Sequence, residues 1–325
     1  MRAAIEKSEG IERQPFPSSL DSSSKLFLPP WKKVLNDLML NIKAFYQYVR
    51  QAIMGPLEDR FIFFSKIRKN IVLDPEIINL PALSELKKIQ IPSTVKNKNG
   101  EPVTLNGLYH PAKPGHPTIL VSYGSGDSLN RIKKFTNLIP RGTGVMLYDH
   151  PGHGVTEGMP SEKSLYQAFK DARQYLADHG VPHHEQILYG YSMGGAVVVD
   201  SAAKYPHKAL ILESTMPALA DVVQHRMQNR LGKTLYSCFP IHRLLNSQFL
   251  SEEKLKGVKA PLLILHGRQD PIMPTAFADR LYAAAEKCQS RRLEFLEGNH
   301  KVAEELTTPH VKHFLQSVGK TLEIS

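Results

Sequence analysis

Apolar residues in the central and C-terminal parts of the chain fall into short unbroken runs separated by stretches of helical period. Thr118 to Ser122, Gly144 to Asp149, Gln186 to Gly190, Ala209 to Glu213, Pro261 to His266 and Arg292 to Leu296 are such runs. A strand that is apolar on both faces must be covered on both, so these runs predict a mostly parallel, doubly wound sheet with helices on each side, an α/β fold. An earlier stretch is of another kind. Residues Pro102 to Tyr109 alternate, and Asn99-Gly100 just before them is a two-residue hairpin signal, so this strand is expected to pair with one around Lys88 to Val95. Between Glu213 and Pro261 the rhythm changes: Leu219 to Leu231 and Leu235 to Leu245 carry helical patterns with no further strand. That predicts a small helical insertion over about 214–258. Ligands of such sheets bind beyond the carboxyl ends of the strands, so an insertion leaving one of those ends is placed to act as a lid.

The N-terminal part reads differently. Residues 1–30 are rich in Ser, Pro and charge and lack any periodicity that could bury a core, which predicts a flexible leader. From Trp31 onward Val34, Leu35, Leu38, Ile42, Phe45, Tyr46, Val49 and Ile53 recur at helical spacing, giving an amphipathic helix within 31–60 that ends near Gly55-Pro56. Its apolar face has two possible destinations: the α/β domain, or a membrane interface with Lys32, Lys33, Lys43 and Arg50 near phosphate. The first twenty residues lack the apolar run of a signal peptide, and no window reaches the roughly 18 apolar residues of a spanning helix. A cytoplasmic protein is therefore the expectation, with peripheral contact to an anionic membrane left open as one of the two destinations of the amphipathic helix.

Composition narrows the function classes. A chain of 325 residues that is 42% hydrophobic holds one large α/β core plus an extension. The formal charge of +10 favours anionic surfaces, but the basic residues are scattered, as in Lys66-Ile67-Arg68-Lys69 and Lys96-Asn97-Lys98. With no zinc-finger spacing or RNA-recognition signature, nucleic acid is not an expected partner. Two cysteines, Cys238 and Cys288, make neither a disulfide framework nor a CxxC pair. No cofactor or metal is called for, since the chain lacks H-E-x-x-H and His183-His184 sits in a turn beside Pro182.

The chemistry centres on Gly190-Tyr191-Ser192-Met193-Gly194, which follows the strand from Gln186 and precedes the apolar helical run Ala196 to Ala203. This is G-x-S-x-G in the strand, turn and helix context it requires. The sharp turn presents the Ser192 hydroxyl at a helix N-terminus, where the N–H of Met193 can stabilise an oxyanion. A serine hydroxyl needs a base, and the base an orienting carboxylate. Asp270 stands just beyond the strand that ends near His266, and His300 just beyond the strand that ends at Leu296, in the chain order Ser, Asp, His. His266, His150 and His153 also lie near strand ends but beside the wrong strands. A second oxyanion donor is expected in Tyr123-Gly124-Ser125-Gly126-Asp127-Ser128, with the Ser125 N–H foremost and Tyr123, Gly124 and Tyr191 as substrate-binding candidates.

Taken together, Tyr148 to Gly154, Glu157-Gly158, Pro160-Ser161, Gly190 to Gly195, His266 to Pro274 and Gly298 to His300 resemble the abhydrolase-domain serine hydrolases of the α/β-hydrolase superfamily. Within them the chain is similar to the branch of membrane-anchored lipid hydrolases, depalmitoylating thioesterases and bacterial esterases. The resemblance implies an α/β-hydrolase catalytic domain over 61–325 and a Ser-Asp-His hydrolase of esters or thioesters without metal or organic cofactor. The chain departs from the family in three places. Tyr123-Gly124 stands where relatives usually have His-Gly, His150-Pro151 where they commonly carry Arg, and Glu297-Gly298-Asn299-His300 where Gly-x-Gly-His is frequent. An apolar insertion, with Met216, Leu219, Val222, Met227 and Phe249 among its residues, suits a small-molecule ester or lipid with a hydrophobic acyl group. A peptidase of the same fold and a non-catalytic binding protein remain the alternatives.

Overall fold

The computed structural model describes Met39 and residues 83–125, 129–135, 142–231 and 245–320. The chain divides into two units, Met1–Tyr48 and Val49–Ser325, and the sheet with its covering helices belongs to the second. The expected leader and nearly all of the expected N-terminal helix lie outside the described residues, as does most of the expected helix from Leu235 to Leu245.

Eight strands form one sheet: β1 (Lys87–Lys96), β2 (Pro102–His110), β3 (Thr118–Ser122), β4 (Gly144–Tyr148), β5 (Gln186–Tyr191), β6 (Ala209–Glu213), β7 (Leu262–Gly267) and β8 (Arg291–Leu296). Their order is β1-β2-β4-β3-β5-β6-β7-β8. The pairs β1/β2 and β2/β4 are antiparallel and the rest are parallel. All eight predicted strands are present, with no boundary moved by more than one residue. The hairpin differs from the expectation. Its loop spans Asn97 to Glu101, because the Asn97 side chain accepts the N–H groups of Asn99 and Glu101 at 2.9 and 3.0 Å and closes a longer turn than Asn-Gly alone would make.

Burial follows position in the sheet. Every residue of β3 to β7 is buried, whereas β1, at one edge, alternates. Successive side chains of an inner strand enter opposite layers. Leu188 and Leu212 join one apolar cluster, and Ile187, Tyr189 and Ile211 join the other. Helices α1 (Glu162–Asp178), α2 (Met193–Lys204) and α5 (Thr275–Ala284) cover the first layer through Phe169, Val197 and Phe277. The second layer is closed by the 3-10 turn Leu129–Phe135 and by α6 (Glu304–Lys320), through Ile132, Phe135, Val311 and Phe314. Each large apolar side chain so buried contributes roughly 1.5–3 kcal/mol.

Two devices fix the elements around β5. Helix α1 starts at a reciprocal capping box in which Ser161 and Ser164 exchange side-chain bonds with each other's backbone N–H. On the same helix, buried Arg173 donates to Gln186 at 3.0 Å and to Ser201 at 2.9 Å, tying α1 to the start of β5 and to α2. The described residues of the expected insertion form α3 (Leu219–Leu231) and α4 (Ser251–Leu255). Its base is pinned shut, since Leu219 N–H donates to Gln248 O at 2.8 Å and Glu252 N–H to Pro217 O at 3.0 Å. Among the described residues no helix is long and apolar enough to cross a membrane.

Close packing makes two glycines respond oppositely to the same change. A Cβ added at Gly194 would stand 2.0 Å from the Ser122 carbonyl oxygen, whereas at Gly319 it meets nothing within 4 Å. Gly194→Ala should therefore cost about 3 kcal/mol or more, while Gly319→Ala should be neutral or gain up to ~1 kcal/mol. Urea midpoints of the two variants test this; equal midpoints would contradict the packing.

Two buried histidines give the stability a pH dependence. His150, beyond β4, is 1% exposed, and His266, in β7, is 0% exposed. Burial, with His153 nearby, pushes His150 down to about 3, and burial also lowers His266. With the folded value depressed, the unfolded chain takes up more protons as pH falls below the ordinary histidine value of about 6.5. Stability is then complete above about pH 6.5 and declines toward pH 4, by up to about 1.4 kcal/mol per pH unit for each group. A urea midpoint that stayed flat from pH 7 to 4.5 would rule this out.

Candidate active site

Strand β5 lies between β3 and β6 and delivers Ser192 at the first turn of α2. Ser192 has φ 54° and ψ −123°, a left-handed conformation that L residues rarely adopt. Three hydrogen bonds hold it there. Its N–H donates to Glu213 O at 2.9 Å, and its carbonyl accepts from Thr215 Oγ1 at 2.6 Å and from Gly195 N–H at 3.0 Å. The flanking glycines make the turn possible: a Cβ at Gly190 would lie 2.4 Å from Gly195 Cα, and one at Gly195 would lie 2.2 Å from Thr215 Oγ1.

His300 Nε2 stands 3.0 Å from Ser192 Oγ, and His300 Nδ1 stands 2.7 Å from Asp270 Oδ2. The structure thus brings together the three residues singled out from the order of motifs. Oδ1 of Asp270 accepts the N–H groups of Ile272 and Met273 at 2.8 and 2.9 Å. Burial by itself would raise this carboxyl. Hydrogen bonds from His300, Met273 and Ile272, with the attraction of His300, outweigh burial and hold it below the ordinary carboxylate value. An ionised Asp270 can only accept, so Nδ1 of His300 carries the proton and Nε2 presents its lone pair to the serine hydroxyl.

The aspartate and histidine loops are fastened to each other. Gln269 N–H donates to Gly298 O at 2.9 Å, and Gly298 N–H donates to the Gln269 side chain at 2.7 Å. A Cβ at Gly267 would lie 2.3 Å from Asn299 O, so β7 can approach the histidine loop only as glycine. From the other side, the Tyr191 hydroxyl donates to the His300 carbonyl at 2.8 Å. Sequence reasoning missed Gln269 in this role. Its position next to Asp270 was the one available signal.

The loop after β3 runs beside the nucleophile. A Cβ at Gly124 would lie 3.1 Å from Ser192 Cβ and 3.4 Å from its Oγ, so glycine is what permits the approach. Ser125 follows and is exposed, and residues 126–128 lie outside the described ones. Met193, the other expected donor, is the first residue of α2 and is buried. Tyr123 and Tyr191 are 6% and 4% exposed, and their rings stack on each other at 4.5 Å. The neighbouring histidines are committed elsewhere: His150 Nε2 donates to Tyr123 O at 3.0 Å, and His266 Nε2 donates to Met273 O at 2.7 Å.

A buried ion pair lies beneath the elbow. Glu213, fully buried at the end of β6, pairs with Lys134 from the 3-10 turn and accepts the Tyr189 hydroxyl. The Lys134 ammonium also lies 5.8 Å from the centre of the Tyr191 ring.

Comparison with known proteins agrees with this architecture. A family described as serine aminopeptidase, S33, matches residues 114–256. An uncharacterized protein of Mycobacterium tuberculosis, Rv2307c, is 31% identical over 228 residues, covering 69% of this chain and 77% of that protein. Alpha/beta hydrolase domain-containing protein 17C of Xenopus tropicalis is 33% identical over 176 residues, 53% of this chain and 51% of its own, so the match spans about half of that relative. Among solved structures, an esterase of Pyrococcus furiosus, Pf2001, superposes with a TM-score of 0.58 at 19% identity, over 78% of this chain and 96% of its own. With an eight-stranded sheet of this order, a serine at the strained turn after β5 and relatives of this kind, the chain belongs to the α/β-hydrolase family.

Proposed function

We propose that this protein is a serine hydrolase that cleaves carboxylic esters or thioesters of an apolar acyl group through an acyl-enzyme on Ser192. The observation that carries the reading is the continuous chain from Ser192 Oγ to His300 at 3.0 Å and from His300 to Asp270 at 2.7 Å. His300 takes the hydroxyl proton as Oγ attacks the carbonyl carbon, and Asp270 holds the tautomer and balances the imidazolium. The N–H of Met193, at the N-terminus of α2, and the N–H of Ser125 are the proposed donors to the tetrahedral oxyanion. Collapse returns the proton to the leaving alcohol or thiol, and a water repeats the sequence to release the acid.

An apolar acyl group is supported by the apolar side chains that the insertion and its flanks contribute. Met193 belongs to the same apolar cluster as Met273 and as Met216, Leu219, Val222 and Phe249 from the insertion and its flanks. The flexible side chains of Met193, Met216 and Met273 can repack around acyl chains of different length. The family description favours a second reading, cleavage of a peptide bond after a free amino terminus. An aminopeptidase needs a carboxylate free to receive the substrate ammonium. Among the described residues, Glu213 and Asp270 are the carboxylates that engage the elbow strand and the histidine, and they are paired with Lys134 and His300.

Because such residues act as a unit, Ser192→Ala and His300→Ala should each lower kcat on esters by a factor on the order of 10⁶, and Asp270→Asn by somewhat less. Fluorophosphonate labelling should map to Ser192 in the wild type and vanish in Ser192→Ala. A Ser192→Ala protein that kept substantial esterase turnover would sink the proposal. Substrate class is tested on a panel of p-nitrophenyl esters of two to sixteen carbons, an acyl-thioester and aminoacyl anilides. Higher kcat/KM on medium or long acyl chains than on any anilide is expected; the reverse order would establish the peptidase reading.

A further inference from the structure

Tyr191 fills the variable position before the nucleophile, yet its side chain reaches away from the elbow to the loop that carries the base. Its ring is almost wholly buried. It stacks on Tyr123 at 4.5 Å, lies 5.8 Å from the Lys134 ammonium and sits 5.3 Å from the His300 ring. These contacts leave the ring little freedom, so the hydroxyl is held at one point. At that point it donates to the backbone carbonyl of His300 at 2.8 Å.

The other ties on the histidine loop come from elsewhere. Gln269 joins it to the aspartate loop through Gly298 and Glu297, and Lys301 N–H bonds within the loop to the Asn299 side chain. Those contacts tie the histidine loop to the aspartate loop and within itself, but none of them reaches Ser192. Tyr191 is covalently joined to Ser192, and it bonds His300 at the main chain. We infer that Tyr191 is a positioning residue whose hydroxyl tethers the histidine loop to the nucleophile's own backbone and thereby sets the reach from His300 Nε2 to Ser192 Oγ. Its hydroxyl bonds the main chain and not a reacting atom.

The chemistry of the hydroxyl suits a permanent tether. Burial, with Tyr123 and Glu213 close by, raises its ionisation well above the ordinary tyrosine value. It therefore remains a donor across the working range of pH. Proton transfer within a hydrogen bond is steep in distance, so loosening the base by a fraction of an ångström slows attack without changing what the substrate contacts.

The inference rests on the proposed Ser192 mechanism, and Tyr191→Phe tests it while keeping the ring and its stacking. The expected result is a fall of about ten- to a hundred-fold in kcat and in the rate of fluorophosphonate labelling, with KM within about twofold and the melting temperature nearly unchanged. A second readout does not depend on turnover: the far-downfield proton resonance of the His300 Nδ1–H···Asp270 bond should broaden and exchange faster with water in the variant. Tyr205→Phe, at an exposed tyrosine just after α2, serves as the control and should leave both rates and resonance as in the wild type. Wild-type labelling rate and an unaltered resonance in Tyr191→Phe would overturn the tether alone. Turnover surviving in Ser192→Ala would instead overturn the mechanism on which it rests.

Discussion

An L residue at φ 54° and ψ −123° stores strain on the order of 1–3 kcal/mol, and it persists only where its neighbours over-determine it. At Ser192 the neighbours do so from three directions. Strand β6 takes its N–H through Glu213, Thr215 takes its carbonyl, and the crossing of β5 with α2 leaves room at Gly190, Gly194 and Gly195 for nothing larger than hydrogen. The rest of the site is arranged about this point. A relaxed Ser192 would turn its hydroxyl away from His300, and the first turn of α2, with the N–H of Met193, would move with it.

Precision at the site is shared among segments distant in sequence. Ser192, Asp270 and His300 each stand just beyond a parallel strand, and parallel strands that share a register end at the same edge. Register alone brings the loops within a few ångströms. The final adjustment comes from ties between the loops: Gln269 to Gly298, the close pass of Gly267 under Asn299, and Tyr191 to His300. A loop that carried its group without such ties would sample the geometry rather than hold it.

The legibility of this arrangement in the sequence follows the same division. Strands buried on both faces leave unbroken apolar runs, so β3 to β7 could be read within one residue. Once the strands were placed, the order Ser, Asp, His followed from which loop succeeds which strand. The hairpin was read one class too short, because the Asn97 side chain competes for backbone N–H groups that a two-residue turn would leave elsewhere. The ties were not legible at all. Tyr191 meets His300 across 109 residues, and Lys134 meets Glu213 across 79. No local period records such contacts; they depend on the sheet order, which places β5 and β6 side by side and brings the 3-10 turn after β3 over the second layer.

That same sheet order governs the charges around the nucleophile. A carboxylate buried at the end of β6 would by itself disturb the proposed reaction, since in a poorly screened interior it would attract an imidazolium formed on His300 from a direction where no proton transfer occurs. Lys134 and the Tyr189 hydroxyl both engage Glu213, so the pair presents a dipole rather than a net charge. His150, driven neutral by burial, adds no charge beside the Tyr123 carbonyl to which it donates. Asp270 is then the carboxylate left to balance His300, and its second oxygen is held by the Ile272 and Met273 N–H groups so that it cannot turn away. The electrostatic asymmetry that the proposed serine nucleophile would require, negative behind the histidine and polarised N–H groups ahead of an oxyanion, would then arise from neutralising one buried acid and fixing the other in place.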